Sequence, residues 1–245
     1  MMNKIFNNEH PERKKIAILI DPDKQSNGRL AGIIEKAKAN DVDYIFVGGS
    51  LITNNNLDSC IETIKSNCEI PVILFPGHVS QISKHADATL FLSLISGRNA
   101  DLLIGQQVIA APLLKEVGTK ILPTGYMIIE SGGTTSASYM SQTQAIPYNK
   151  HDIAACTALA GEMLGLQHIF IDAGSGADKP VSPEMIRRVR KEVSLPIIIG
   201  GGIKTEAQAL DAIAAGADII VIGNAFEKDP ELIASITKSV HKFEA

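Results

Sequence analysis

The chain has 245 residues, 45% hydrophobic and 20% charged, which suffices for one sizeable core and matches the usual length of an α/β barrel; one domain over 1–245 is expected. Its 23 basic and 27 acidic residues give a formal charge of -4, so there is no basic field for nucleic acid, and any anionic ligand must be held by local groups. Cys60, Cys68 and Cys156 are scattered and form no CxxC pair, which argues against a disulfide framework and for reduced thiols in the cytoplasm.

Glu9, His10, Glu12, Arg13, Lys14 and Lys15 precede the first apolar run, the wrong order for a secretory signal. Short apolar runs rich in β-branched residues then recur: Ile16 to Ile20, Tyr44 to Val47, Val72 to Phe75, Ala88 to Leu92, Tyr126 to Ile129, His168 to Ile171, Ile197 to Ile199 and Ile219 to Ile222. Runs without polar alternation are buried on both faces, as in a parallel sheet covered by helices. Helical segments are expected at roughly 28–39, 57–67, 99–116, 150–165, 183–193, 205–215 and 230–242, several opened by cap residues such as Asn27, Ser182 and Thr205. Eight βα units predict a (β/α)8 TIM barrel. Pro76 to Asp87 is too short and polar for a good third helix, so an irregular segment is expected there. Asp101 to Leu114 is broken by Gly105, Gln106, Gln107 and Pro112 and fails as a spanning helix, which predicts a soluble protein with transient membrane association at most. Ser131 to Asn149, rich in Ser, Thr, Gly and Gln, is either a lid or a plain surface loop.

Active sites of such barrels gather at the C-terminal strand ends. There the sequence places Asp21-Pro22-Asp23-Lys24, Gly48-Gly49-Ser50, Asp172-Ala173-Gly174-Ser175-Gly176, Gly200-Gly201-Gly202-Ile203-Lys204 and Gly223-Asn224. Glycines after the seventh and eighth strands suit phosphate, because backbone N–H groups can approach the anion closely ahead of a helix N-terminus. Gly174-Ser175-Gly176 is not a dinucleotide fingerprint, since Lys179 stands where a third glycine is needed. The six histidines show no metal spacing. Asp21 and Asp23 are read either as Mg2+ ligands that share the ion with substrate phosphate or as a helix-capping turn. Asp172 is read either as a general base or as a loop cap.

In order and spacing these segments, including Phe170-Ile171-Asp172-Ala173-Gly174-Ser175-Gly176-Ala177, resemble the geranylgeranylglyceryl phosphate synthase family and its bacterial heptaprenylglyceryl phosphate synthase relatives, from about Ile16 to Ala225. The resemblance implies an enzyme, a Mg2+-dependent prenyltransferase that joins sn-glycerol 1-phosphate to a long prenyl diphosphate, most simply geranylgeranyl diphosphate, for polar lipid synthesis. It implies Mg2+ on Asp21 and Ser50. It places glycerol phosphate among Phe170, Ile171, Asp172, Ala173, Gly174, Ser175, Gly176, Gly201, Gly202, Gly223 and Asn224. It also implies a homo-oligomer. The family usually has Tyr-Leu-Glu where this chain has Phe170-Ile171-Asp172, which loses a hydroxyl and one methylene. Leu102, Leu103, Ile104, Val108 and Ile109, with Leu92, Leu94 and Ile95, are expected either to line a prenyl groove or to be core. Rival readings are an isomerase or lyase of a sugar or indole phosphate, a flavin oxidoreductase, and a non-catalytic barrel.

Overall fold

Eight parallel strands, β1 (Lys15–Ile20), β2 (Tyr44–Val47), β3 (Val72–Leu74), β4 (Ala88–Leu94), β5 (Lys120–Ile128), β6 (His168–Asp172), β7 (Ile197–Gly200) and β8 (Ile219–Ile222), close in sequence order into a barrel with β8 back on β1. This is the expected (β/α)8 architecture. The computed structural model describes residues 13–25, 27–223 and 232–243. Among these, the helices are α1 (Asn27–Ala39), α2 (Leu57–Asn67), α3 (Gln106–Val117), α4 (Ser136–Ser141), α5 (His151–Met163), α6 (Pro183–Arg190), α7 (Glu206–Ala214) and α8 (Leu232–His241). None of them is long and apolar enough to cross a membrane. Ser182 and Thr205 cap α6 and α7 by accepting from the N–H groups of Met185 and Gln208. Asn27 is itself helical, and its side chain lies outside the described residues.

The continuous apolar runs are explained by two separate cores. Along each strand, alternate side chains point into the barrel, as Ala17, Phe46, Leu90, Tyr126, Phe170 and Val221 do. Their neighbours, among them Ile18, Ile45, Met127, Ile171, Ile199 and Ile220, pack outward against the helices. Each large aliphatic or Phe side chain among them contributes about 1.5–3 kcal/mol by burial.

Between β3 and β4 no helix forms, as the short polar sequence predicts. β5 begins six residues before the expected Tyr126. Pro123 and Gly125 interrupt the apolar run, yet both fit a parallel strand here. Pro123 still offers its carbonyl to Gln167, and the missing Cβ of Gly125 leaves room for the Cδ1 atoms of Ile95, Leu166 and Ile169. The segment expected as one helix at 99–116 is two pieces, a π-helical turn (Asp101–Gly105) leading into α3. Side-chain donors reach the carbonyls of this wider turn: Ser93 to Leu103 at 2.7 Å, and Gln107 to Leu102 at 3.1 Å.

Candidate functional site

The strand C-termini surround a cavity of about 1040 Å³, well beyond the needs of one small phosphate compound. At its polar end, Phe170 and Asp172 point inward because strand alternation turns Ile171 outward. Asp172 is only 7% exposed. Its Oδ2 accepts from the Tyr126 hydroxyl at 2.6 Å, and its Oδ1 accepts from the Gly174 N–H at 2.7 Å. Burial pushes the Asp172 carboxyl above the usual carboxylate range, with both hydrogen bonds acting in the opposite direction. Burial, and then the Asp172 charge, push the Tyr126 phenol well above its ordinary value, so Tyr126 is a neutral donor. Beneath them Phe75 stacks on Phe170 with centroids 4.9 Å apart, and Tyr126 meets both rings edge-on at 5.7 and 5.6 Å.

The glycine loops meet backbone to backbone. Gly201, at φ 78°, brings its Cα so close that a Cβ would lie 2.5 Å from the Gly174 nitrogen and 2.8 Å from Asp172 Oδ1. A side chain there is excluded twice, by the left-handed conformation and by contact. Gly174, Ser175, Gly176, Gly201, Gly202 and Gly223 all border the cavity. Backbone N–H groups and Lys204, which also lines the cavity here with its Nζ 3.1 Å from the Asp178 carbonyl, supply the local positive potential. Ile171 and Ala173 do not border it, because their side chains belong to the helix-facing core. Asn224 lies outside the described residues.

Across the mouth, Asp21 and Ser50 border the cavity with Lys24, whose Nζ is 3.1 Å from Asp21 Oδ2. Ser50 follows Gly49, where a Cβ would sit 3.6 Å from the Asp21 carboxylate. Asp23, the other candidate ligand, turns away. It accepts from Thr53 N at 2.6 Å, Thr53 Oγ1 at 2.8 Å and Asn54 N at 3.2 Å, and these bonds hold its carboxyl below the ordinary range. No cluster of three or more metal-ligating His, Cys, Asp or Glu exists among the described residues. One carboxylate and one hydroxyl at an open rim fit Mg2+ on condition that ligand phosphate oxygens complete its octahedron.

Leu92, Leu94, Leu102, Ala110 and Leu114 form an apolar part of the same lining, its apolar arm. Residues 102, 106, 110 and 114 share one helical face towards β4. The expected Ile104, Val108 and Ile109 lie on the other face and are 61%, 64% and 57% exposed. Leu103 and Ile95 pack in the outer core. The segment 131–149 is folded over the mouth. Ser131 Oγ donates to the Ala173 carbonyl at 2.6 Å, Ile146 pairs with the strand end at Ile128 and Glu130, and α4, capped by Thr135, presents Ala137 and Met140 to the cavity.

Tyr126 is not legible as a site residue in the sequence, because the apolar run begins at this residue whereas β5 starts at Lys120 and carries Tyr126 near its C-terminal end. Phe75 and Gln81 were missed because their side chains carry no motif.

The PcrB family model matches residues 9–240. Geranylgeranylglyceryl phosphate synthase of Chitinophaga pinensis is 51% identical, with 98% of this chain and 97% of that protein covered. The enzyme of the same name from Spirosoma linguale is 53% identical over 94% and 93%. The crystal structure of (S)-3-O-geranylgeranylglyceryl phosphate synthase from Thermoplasma acidophilum, in complex with its substrate sn-glycerol-1-phosphate, superposes with a TM-score of 0.90 at 32% identity, covering 94% of each chain. Matched over nearly its whole length and half identical to two named synthases, this chain belongs to the PcrB family.

Proposed function

We propose that the protein is a Mg2+-dependent prenyltransferase that joins sn-glycerol 1-phosphate to a long-chain prenyl diphosphate, forming an ether and releasing diphosphate. The observation that carries this reading is the two-part cavity. One cavity is lined by the glycine loops, by the apolar residues of β4 and the α3 region, and by the buried Asp172–Tyr126 pair. The solved relative with sn-glycerol-1-phosphate bound supports the acceptor.

In this reading the N–H groups of the β6, β7 and β8 loops hold the glycerol phosphate, and Asp172 lies within reach of its free hydroxyl. As the allylic C1–O bond of the donor breaks, the hydroxyl oxygen bonds to C1. Asp172 accepts the proton, and diphosphate departs with the electron pair. Burial raises the basicity of Asp172 and so aids proton acceptance. Tyr126 fixes the carboxylate's orientation. The folded segment 131–149 and the aromatic floor exclude water that would otherwise capture the allylic carbon. Asp21 and Ser50 would hold Mg2+, which when bound neutralises charge on the departing diphosphate.

Three further statements belong to the same proposal. The free thiols of Cys60, Cys68 and Cys156 fit the cytoplasm. The apolar arm fits a donor of C20 or longer. The outward faces of the π-helical turn, α3 and α5, with Ile104, Val108, Ile109, Ile153 and Met163 exposed, fit a second copy of the chain. Lys115 and Glu116 beside them carry both signs, which suits self-pairing.

The test is a product assay with labelled sn-glycerol 1-phosphate, donors from C15 to C35, and Mg2+ present or chelated. A Mg2+-dependent ether with one donor favoured is expected. No product with any donor, from a folded protein that binds glycerol phosphate, overturns the proposal.

A further inference from the structure

We infer that Gln81 is a positioning residue for the cation. It acts by clamping the turn that carries Ser50, and the inference rests on the reading above that Asp21 and Ser50 hold Mg2+. Gln81 is 4% exposed, in the helix-free segment between β3 and β4. Its carboxamide bridges two loops. Oε1 accepts from the Gly77 N–H at 2.9 Å, and Nε2 donates to the Gly49 carbonyl at 3.1 Å. The bridged loops are already in contact, since a Cβ on Gly77 would lie 2.5 Å from the Gly49 oxygen and 2.9 Å from Ser50 Cα.

The turn 48–54 is therefore held from both sides. Downstream, Asp23 gathers the N–H groups of Thr53 and Asn54; upstream, Gln81 holds Gly49. A site with one carboxylate and one hydroxyl has little protein chemistry with which to recruit a cation, so its affinity depends on how closely those two oxygens are placed. Gln81 fixes the carbonyl immediately before Ser50. Without it, the Gly49 carbonyl and the Gly77 N–H lose their buried partners and the turn is free to shift.

The experiment compares wild type, Gln81→Met and Gly77→Ala. The first variant removes both hydrogen bonds at similar side-chain length. The second pushes on the same turn without removing a polar group. Mn2+ binding is read by electron paramagnetic resonance with inorganic diphosphate present, alongside the Mg2+ dependence of turnover and the KM for glycerol phosphate. Gln81→Met loses two hydrogen bonds, each worth up to about tenfold, of which the one to Gly49 bears directly on Ser50, and the Gly77→Ala methyl displaces the same turn by contact with Gly49 and Ser50. Both variants are thus expected to bind Mn2+ about tenfold more weakly and to need about tenfold more Mg2+, with the glycerol phosphate KM within about twofold of wild type. Wild-type Mn2+ affinity in folded variants overturns the inference. So does a glycerol phosphate KM that rises in step with the Mg2+ requirement, because a general loosening of the barrel mouth moves both. Asp21→Ala separates the two levels: if it keeps wild-type Mn2+ binding, the reading of the cation site is wrong and the clamp falls with it, whereas loss of binding in Asp21→Ala beside full binding in Gln81→Met sinks the clamp alone.

Discussion

The two ends of the cavity are made in opposite ways. At the polar end the loops after β6 and β7 touch main chain to main chain, and the positions that matter most carry no side chain at all. The arm is walled by side chains of β4, the π-helical turn and α3, and α4 also contributes to the lining. Backbone built to contact distance cannot adjust to an added methyl group, whereas a wall of leucines can repack. On the proposed function, the difference implies strict recognition of the anionic acceptor and tolerant recognition of the apolar donor, and substitutions at each end should separate the two.

The largest effect is expected at the junction. Asp172→Asn keeps the shape and an acceptor for Gly174 but removes the proposed base, so kcat should fall by about 10²–10⁴-fold. The folded state raises the Asp172 pKa. Its contribution to stability is therefore present below the unfolded carboxyl pKa and is lost as pH rises through the folded value. The Asn variant escapes that loss. Its melting temperature should equal or exceed that of wild type at pH 8, with the advantage shrinking towards pH 4. A wild-type rate in a folded Asn variant refutes the role of Asp172 as base.

Next comes the anion end. Gly201→Ala drives a Cβ to 2.5 Å from the Gly174 nitrogen in a left-handed conformation. Strain on the order of 1–3 kcal/mol should raise the glycerol phosphate KM by about 10–100-fold, with a much smaller change in donor KM. Equal shifts in both KM values remove the distinction between the two ends.

A smaller effect, in the pH profile, is expected for Tyr126→Phe. The Tyr126 hydroxyl is one of two hydrogen bonds that lower the Asp172 pKa against burial. Removing it lets the carboxyl pKa rise further, so the ionised base is lost at higher pH. The acid limb of kcat/KM should move to higher pH, and the activity loss, about tenfold for one hydrogen bond to a charged group, should be larger at pH 6 than at pH 8. An acid limb that stays in place separates Tyr126 from the ionisation of Asp172.

These sites were unequally legible in the sequence. The barrel was readable because strands buried on both faces leave unbroken apolar runs. The glycine loops were readable because their composition has few other uses at strand ends. Phase was the harder matter. Ile171 sits between two inward residues and so faces the helices. Ile104 and Val108 are as apolar as Leu102 but lie on the opposite side of the helix. Asp23 is as acidic as Asp21 but is consumed by the Thr53 and Asn54 amides. Tyr126 was hidden by Pro123 and Gly125, which broke the run marking its strand. Gln81 acts through backbone atoms of other loops, and no local pattern announces that.

The smallest catalytic effect is expected on the outer side of the helix that walls the arm. Val108 is 64% exposed, and its neighbours Ile104, in the preceding turn, and Ile109 and Leu113 are exposed as well, so the helix is apolar on the side that no other described residue covers. A surface helix ordinarily turns charge outward. If a second copy covers this face, Val108→Lys places an ammonium group within an apolar contact, where an unpaired charge is strongly disfavoured. Sedimentation velocity should then show a lighter species than wild type, while kcat at saturating substrate changes by less than about twofold, because the cavity side of α3 is untouched. Within a single chain, an exposed Val to Lys change alters helix propensity by only a few tenths of a kcal/mol, so the melting temperature should fall only as far as loss of the partner requires. A Lys variant that sediments like an oligomeric wild type would move the interface away from α3. A wild type that is already monomeric would remove the second copy from the account and leave the outer apolar face of α3 as a feature of the monomer.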